Sequence, residues 1–168
     1  LREVFLENKI KKKIKFHIVS KSKKNVLRGL HFQKKKAQGK YVSVIKGKIF
    51  DVVVDLRKNS KTFGKSLSVV LSQKNCKSIY IPAGFAHGFL SLENDSIVYY
   101  SCTEYRSPEN ECSMNYNDPI LKIKWPKKKI IISDKDKSAK NFNELLKEKV
   151  IWVKLANKII SKIQQKNE

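Results

Sequence analysis

Histidine is scarce in this chain of 168 residues, which carries three, at positions 17, 31 and 87. No two of them stand one residue apart, and no His/Cys cluster accompanies them. A metal centre of the His-x-His plus Glu kind is therefore not expected, nor is any other bound cofactor. Cysteine is as sparse: Cys76, Cys102 and Cys112 form no Cys-x-x-Cys pair, which argues against a disulfide framework and suits reduced thiols in a cytoplasmic protein. Apolar runs are short, and none approaches the ~20 residues of a membrane-spanning helix. The opening Leu1-Arg2-Glu3-Val4-Phe5 shows neither an initiator Met nor a secretory leader. It reads as the middle of a strand, so an N-terminal strand is expected to be missing. A Gly-x-Ser-x-Gly elbow and a phosphate-cradling glycine loop are absent too, which sets aside serine hydrolases and P-loop enzymes.

Negative charge is the other shortage: 15 acidic residues face 37 basic ones, for a net charge of +22. Such a field attracts any polyanion. The cations are nearly all lysine, however, and the arginines are Arg2, Arg28, Arg57 and Arg106. Base reading and bidentate phosphate binding favour guanidinium. The lysines are also scattered, as in Lys11-Lys12-Lys13, Lys34-Lys35-Lys36 and Lys127-Lys128-Lys129. A solvated basic surface accounts for this, and a nucleic-acid partner is not expected.

What is present reads as short β-runs separated by turn residues, from Leu1 to about Trp125. Val42–Ile45, a Lys46-Gly47-Lys48 turn and Ile49–Asp55 carry a hairpin signal, with Gly at the tight position. Further runs fall at Leu67–Leu71, Ser78–Ile81, Gly88–Leu92 and Ser96–Tyr100. Many strands without intervening helices predict a β-sandwich or jelly roll. From Ser138 the period changes to 3.6, with Leu145, Trp152, Leu155, Ile159 and Ile163 on one side of a helix that Ser138 or Asn141 would cap. One domain over 1–136 and a helical extension over 137–168 are the expected units.

His31 lies in Val26-Leu27-Arg28-Gly29-Leu30-His31-Phe32-Gln33, where alternation sets it opposite Leu30 and Phe32. His87 lies in Ile81-Pro82-Ala83-Gly84-Phe85-Ala86-His87-Gly88-Phe89, just past a tight bend. His17 has no polar neighbours in sequence and reads as structural. These two stretches, together with Ala37-Gln38-Gly39-Lys40, Phe50-Asp51-Val52, Val54-Asp55-Leu56-Arg57 and Thr62-Phe63-Gly64-Lys65, resemble the dTDP-4-dehydrorhamnose 3,5-epimerase family. Asn117-Asp118-Pro119, Trp125-Pro126 and Ser133-Asp134-Lys135-Asp136 extend the resemblance, in the family's order and at nearly its spacing, to about Asp136.

The resemblance implies a cupin-type jelly roll, a homodimer, and action without a metal on a nucleotide-linked 4-keto-6-deoxy sugar. It implies that His31 is the proton-abstracting base and Asp136 the carboxylate that orients it. Lys40 would stand at the ketone oxygen, and Tyr100 would deliver a proton from the opposite face. Arg28, His87, Glu3, Glu111 and Lys135 match substrate-binding positions. The chemistry suits these types: a hydrogen beside a ketone is acidic because its carbanion becomes an enolate, a carboxylate-backed imidazole titrates near neutrality, and an ammonium steadies the enolate oxygen. Strand alternation lets only one of Tyr99 and Tyr100 face a cavity.

The sequence departs from the family's pattern where the nucleotide is held. Phe16-His17-Ile18 occupies a segment where the family carries two amides, and Arg106 stands where an aromatic stacks on the base, so Arg106 would bind substrate as a flat cation. A non-catalytic shell that holds a sugar nucleotide or another polyanion is the alternative reading.

Overall fold

A computed structural model describes residues 11–127 and 129–148. Nine strands follow in chain order: β1 (Phe16–Ser22), β2 (Leu27–Gln33), β3 (Lys40–Lys46), β4 (Lys48–Asp55), β5 (Ser66–Ser72), β6 (Ser78–Ile81), β7 (Phe85–Ser91), β8 (Ser96–Cys102) and β9 (Glu111–Ser113). Two short helices close the described chain, α1 (Asp134–Lys137) and α2 (Phe142–Lys147). The strands form an antiparallel sheet of order β1-β8-β3-β6 facing another of order β5-β4-β7-β2-β9. Only the β4–β5 connection stays within one sheet; the others cross between the two, which is the winding of a jelly roll.

This winding overturns the hairpin expected at Gly47. The turn is there, with Gly47 at φ +79°, but β3 pairs with β6 and β8 while β4 pairs with β5 and β7. The reason lies in β4 itself. Val52 and Val54 face one side and Ile49, Asp51 and Val53 the other, and all are buried. A strand apolar on both faces needs cover on both faces, so it sits inside the five-stranded sheet rather than beside its sequence neighbour.

Two cores result. Val42, Val44, Ile49, Val53, Leu71, Phe89 and Val98 fill the space between the sheets. Behind the five-stranded sheet, Leu30, Phe32, Val52, Val54 and Ala86 pack against Met114, Leu121, Phe142 and Leu145. Burying a side chain such as Phe142 contributes about 2–3 kcal/mol. Asn141, one of the two caps expected from sequence, opens α2 with a full capping box: its side chain accepts from the Glu144 N–H at 2.9 Å, and Glu144 accepts from the Asn141 N–H at 2.7 Å. Ser138 instead closes α1. Trp152, Leu155, Ile159 and Ile163 lie outside the described residues. Among the described residues, no helix is long and apolar enough to cross a membrane.

Candidate active site

The site begins with an irregularity in β2. Arg28 pairs with Phe89 and His31 with His87, so three steps along β2 match two along β7. This bulge turns Arg28 and His31 to the same side, whereas strict alternation over three residues would separate them. Gly29 makes it possible: its φ is +124°, and a Cβ there would lie 2.5 Å from the Gly88 Cα. Leu30 and Phe32 point the other way into the core beneath α2, as alternation predicted.

The chain beyond β9 returns beside β2 through a bridge between Val26 and Ile131. Ser133 caps α1 by accepting from the Asp136 N–H, which places the Asp136 carboxylate under His31. His31 Nε2 lies 2.7 Å from Asp136 Oδ1. The Gly29 N–H and the Ser113 hydroxyl also donate to this carboxylate, each at 3.4 Å. Burial alone would raise the Asp136 carboxyl, but the bond and charge of His31, with the Gly29 N–H and Ser133, hold it below its ordinary value. With Nε2 donating to a carboxylate, Nδ1 is the basic nitrogen of the His31 ring. The His31 side chain is 39% exposed, so a ligand can reach it.

A second pair lies deeper. His87 Nε2 is 2.8 Å from Asp51 Oδ2, with side-chain exposures of 5% and 0%. Asp51 lies in the Phe50-Asp51-Val52 stretch that carries the resemblance, but no site role is expected of it from sequence; the signal available is a carboxylate between Ile49 and Val53 on an otherwise apolar strand face. The His87 ring meets Tyr100 edge-on, 6.2 Å between centroids.

The opposite sheet supplies the remaining groups. Lys40 pairs with Cys102 and Val42 with Tyr100, so Lys40 and Tyr100 are diagonal neighbours on the inward face. Burial lowers the Lys40 ammonium from its usual value, opposed by the charges of Cys102, Glu111 and Asp51. Burial also pushes the Tyr100 phenol well up, and Asp51 adds to this, so it stands as a neutral O–H donor. Tyr99 takes the outer face, where its hydroxyl lies 2.8 Å from His17 Nδ1 and Ser101 Oγ lies 3.1 Å from the same atom. His17 is hydrogen-bonded and outside the site, by partners from β8 that its sequence neighbourhood did not reveal.

His31, Asp136, Tyr100, Lys40, Arg28 and His87 all line one cleft of ≈ 640 Å³. Arg106, Glu111 and Lys135 line it as well, and Glu3 lies outside the described residues. Arg106 forks onto Glu111 at 2.6 and 3.0 Å, and Lys135 reaches Glu111 at 3.5 Å. Arg28 donates to Ser22 Oγ at 3.0 Å and to the Lys21 carbonyl at 3.2 Å. Ile18 and Ser20 of β1 and Cys102 of β8 complete much of the wall. Each imidazole is matched to its own carboxylate, and among the described residues no three His, Cys, Asp or Glu side chains converge as metal ligands would.

Comparison with known proteins meets this geometry. The family model for dTDP-4-dehydrorhamnose 3,5-epimerase matches residues 2–144. The chain belongs to the dTDP-4-dehydrorhamnose 3,5-epimerase family. The family member from Methanothermobacter thermautotrophicus is 47% identical over 144 residues, covering 84% of this chain and 78% of its own. The structure of a dTDP-6-deoxy-D-glucose-3,5-epimerase from Legionella pneumophila, in complex with dTDP-4-keto-L-rhamnose, superposes with a TM-score of 0.84 at 41% identity, covering 89% of this chain and 82% of that one. A 3'-monoepimerase from Streptomyces bikiniensis in complex with dTDP-quinovose gives a TM-score of 0.84 at 28% identity, over 99% and 87%. The epimerase family's cupin-like jelly roll is thus the fold of this chain.

Proposed function

We propose that this epimerase-family chain inverts C3, C5 or both in a nucleotide-linked 4-keto-6-deoxyhexose. Nδ1 of His31 takes the proton beside the ketone, and Asp136 orients the ring and balances the imidazolium. Lys40 meets the enolate oxygen. Tyr100 returns a proton to the opposite face of the sugar, which inverts the carbon. Arg28, His87, Arg106, Glu111, Lys135 and Glu3 hold the substrate, with Arg28 and the rim cations toward its diphosphate. Residues 1–136 serve as the epimerase domain and 137–168 as an extension of it, helical at Phe142–Lys147 among the described residues. The working unit is a homodimer in the cytoplasm, a compartment that fits three free thiols.

One observation carries this reading: a carboxylate-backed imidazole from one sheet and a neutral phenol from the other line the same cleft, with an ammonium diagonal to the phenol. Inversion needs an acceptor and a donor on two sides of one ring, and two facing sheets offer that arrangement. The test is incubation with dTDP-4-keto-6-deoxyglucose in D₂O, with the label located by NMR. Deuterium is expected at C3, C5 or both, with inversion there. A folded protein that leaves both carbons unlabelled refutes the proposal.

A further inference from the structure

We propose that Asp51 is a positioning residue of the proton-transfer site, fixing His87 from beneath the cleft so that its ring stands against Tyr100, with its own charge facing the groups of the opposite sheet. The inference rests on the epimerase reading and extends it to a residue that touches no substrate. Asp51 sits on the inward face of β4 and is fully buried. One oxygen meets His87 Nε2 at 2.8 Å, and the other, Oδ1, has no hydrogen-bonding partner among the described residues. A buried carboxylate half of which is unsatisfied costs stability, since burial without a partner forfeits hydration. Packing alone would favour an apolar residue between Ile49 and Val53.

The geometry gives the charge a use. Asp51, His87 and Tyr100 are continuous: a hydrogen bond joins the first two, and an edge-on ring contact joins the last two. A proton on Nε2, fixed by the carboxylate, leaves Nδ1 of His87 as its accepting nitrogen. The charged and titratable groups around this floor are His87 from β7, Lys40 from β3, Tyr100 and Cys102 from β8, Arg28 and His31, the latter paired with His87, from β2, and Glu111 from β9, while β5 sets Val69 opposite Asp51. Asp51 works in one sense on both reacting groups: it opposes the loss of the Lys40 proton and raises the Tyr100 phenol. Both then keep the proton that the reaction needs, one to steady an enolate and one to deliver.

The test replaces the charge but not the shape. In Asp51→Asn, turnover at the optimum is expected to fall roughly tenfold with KM little changed. The alkaline limb of the pH–rate profile should move to lower pH, because Lys40 and Tyr100 both lose protons earlier. Independently of activity, an ultraviolet phenolate titration, taken as the difference from Tyr100→Phe, should show Tyr100 ionising at lower pH than in the wild type. An unmoved limb and an unmoved titration overturn the proposal, even if stability or turnover falls, because a merely structural carboxylate would leave both in place. If Asp51→Asn does not fold, the paired change Asp51→Asn with His87→Gln keeps a neutral hydrogen bond in the floor, and the same titration decides. A wild type without any exchange would reject the epimerase reading, while the titration still decides the role of Asp51.

Discussion

Two imidazole–carboxylate pairs of nearly equal length, 2.7 and 2.8 Å, stand in one cleft and differ mainly in burial. His31 is 39% exposed, and its Asp136 accepts from three donors. His87 is almost wholly enclosed, and its Asp51 has one oxygen without a hydrogen-bonding partner among the described residues. On the proposed reading the same chemistry serves two ends. An imidazole that a ligand can touch, on a carboxylate already neutralised by donors, can take a proton and give it back. One sealed over an under-satisfied carboxylate is better placed to hold a charge pattern still. Environment separates the roles of the pairs, as it separates the pKa values of paired acids.

The comparison breaks first at His31. In His31→Asn, exchange of substrate deuterium is expected to fall by about 10²–10⁴ with the melting temperature almost unchanged, read by NMR and by calorimetry. Equal loss from a conservative change at a surface lysine would dissolve the distinction. The deeper pair should answer in stability as well as in turnover: His87→Leu strands Asp51 inside the sandwich, for a loss of about 3–5 kcal/mol in denaturant unfolding. A middling effect separates acceptor from donor. Tyr100→Phe should keep part of the deuterium exchange at His31 while net inversion falls ~10²-fold, measured by comparing label and product in one sample.

The acid response sharpens the contrast further. Asp136 is depressed in the folded state, so its stabilising contribution is complete above the ordinary carboxylate value of about 3.9 and is lost as pH falls through the lower folded value. Asp55, buried and held by Arg57, Ser60 and Thr62 against the penalty of burial, behaves in the same sense. Unfolding free energies of wild type and Asp136→Asn should differ by about 1–2 kcal/mol at pH 7 and converge as pH falls through the lowered folded value. The smallest effect belongs to Tyr99→Phe, which removes the hydroxyl facing His17 outside the cleft: under ~1 kcal/mol and no change in turnover.

Much of this is legible in the sequence. Alternation assigned Tyr99 and Tyr100 to different faces and set His31 against Leu30 and Phe32, because the side-chain period of a strand is a local property. Asn141, one of two caps expected from sequence, does open a helix, for the same reason: capping is local. The strand partners were not legible: Gly47 signalled a turn, yet the turn leads between sheets, since a local bend does not say which strands will meet. Nor was the His17 cluster, which joins His17 to residues more than 80 positions along the chain.

The sequence by itself determined the strand-rich architecture, the candidate site side chains and the family to which the chain belongs, because period, residue type and motif order are written along the chain. The tertiary structure alone decided that the bulge at Gly29 turns Arg28 and His31 to one side, that Asp136 comes back beneath His31, and that Asp51 lies under His87. Each of these depends on contacts between residues distant in sequence, and on how much water the fold leaves around a charge.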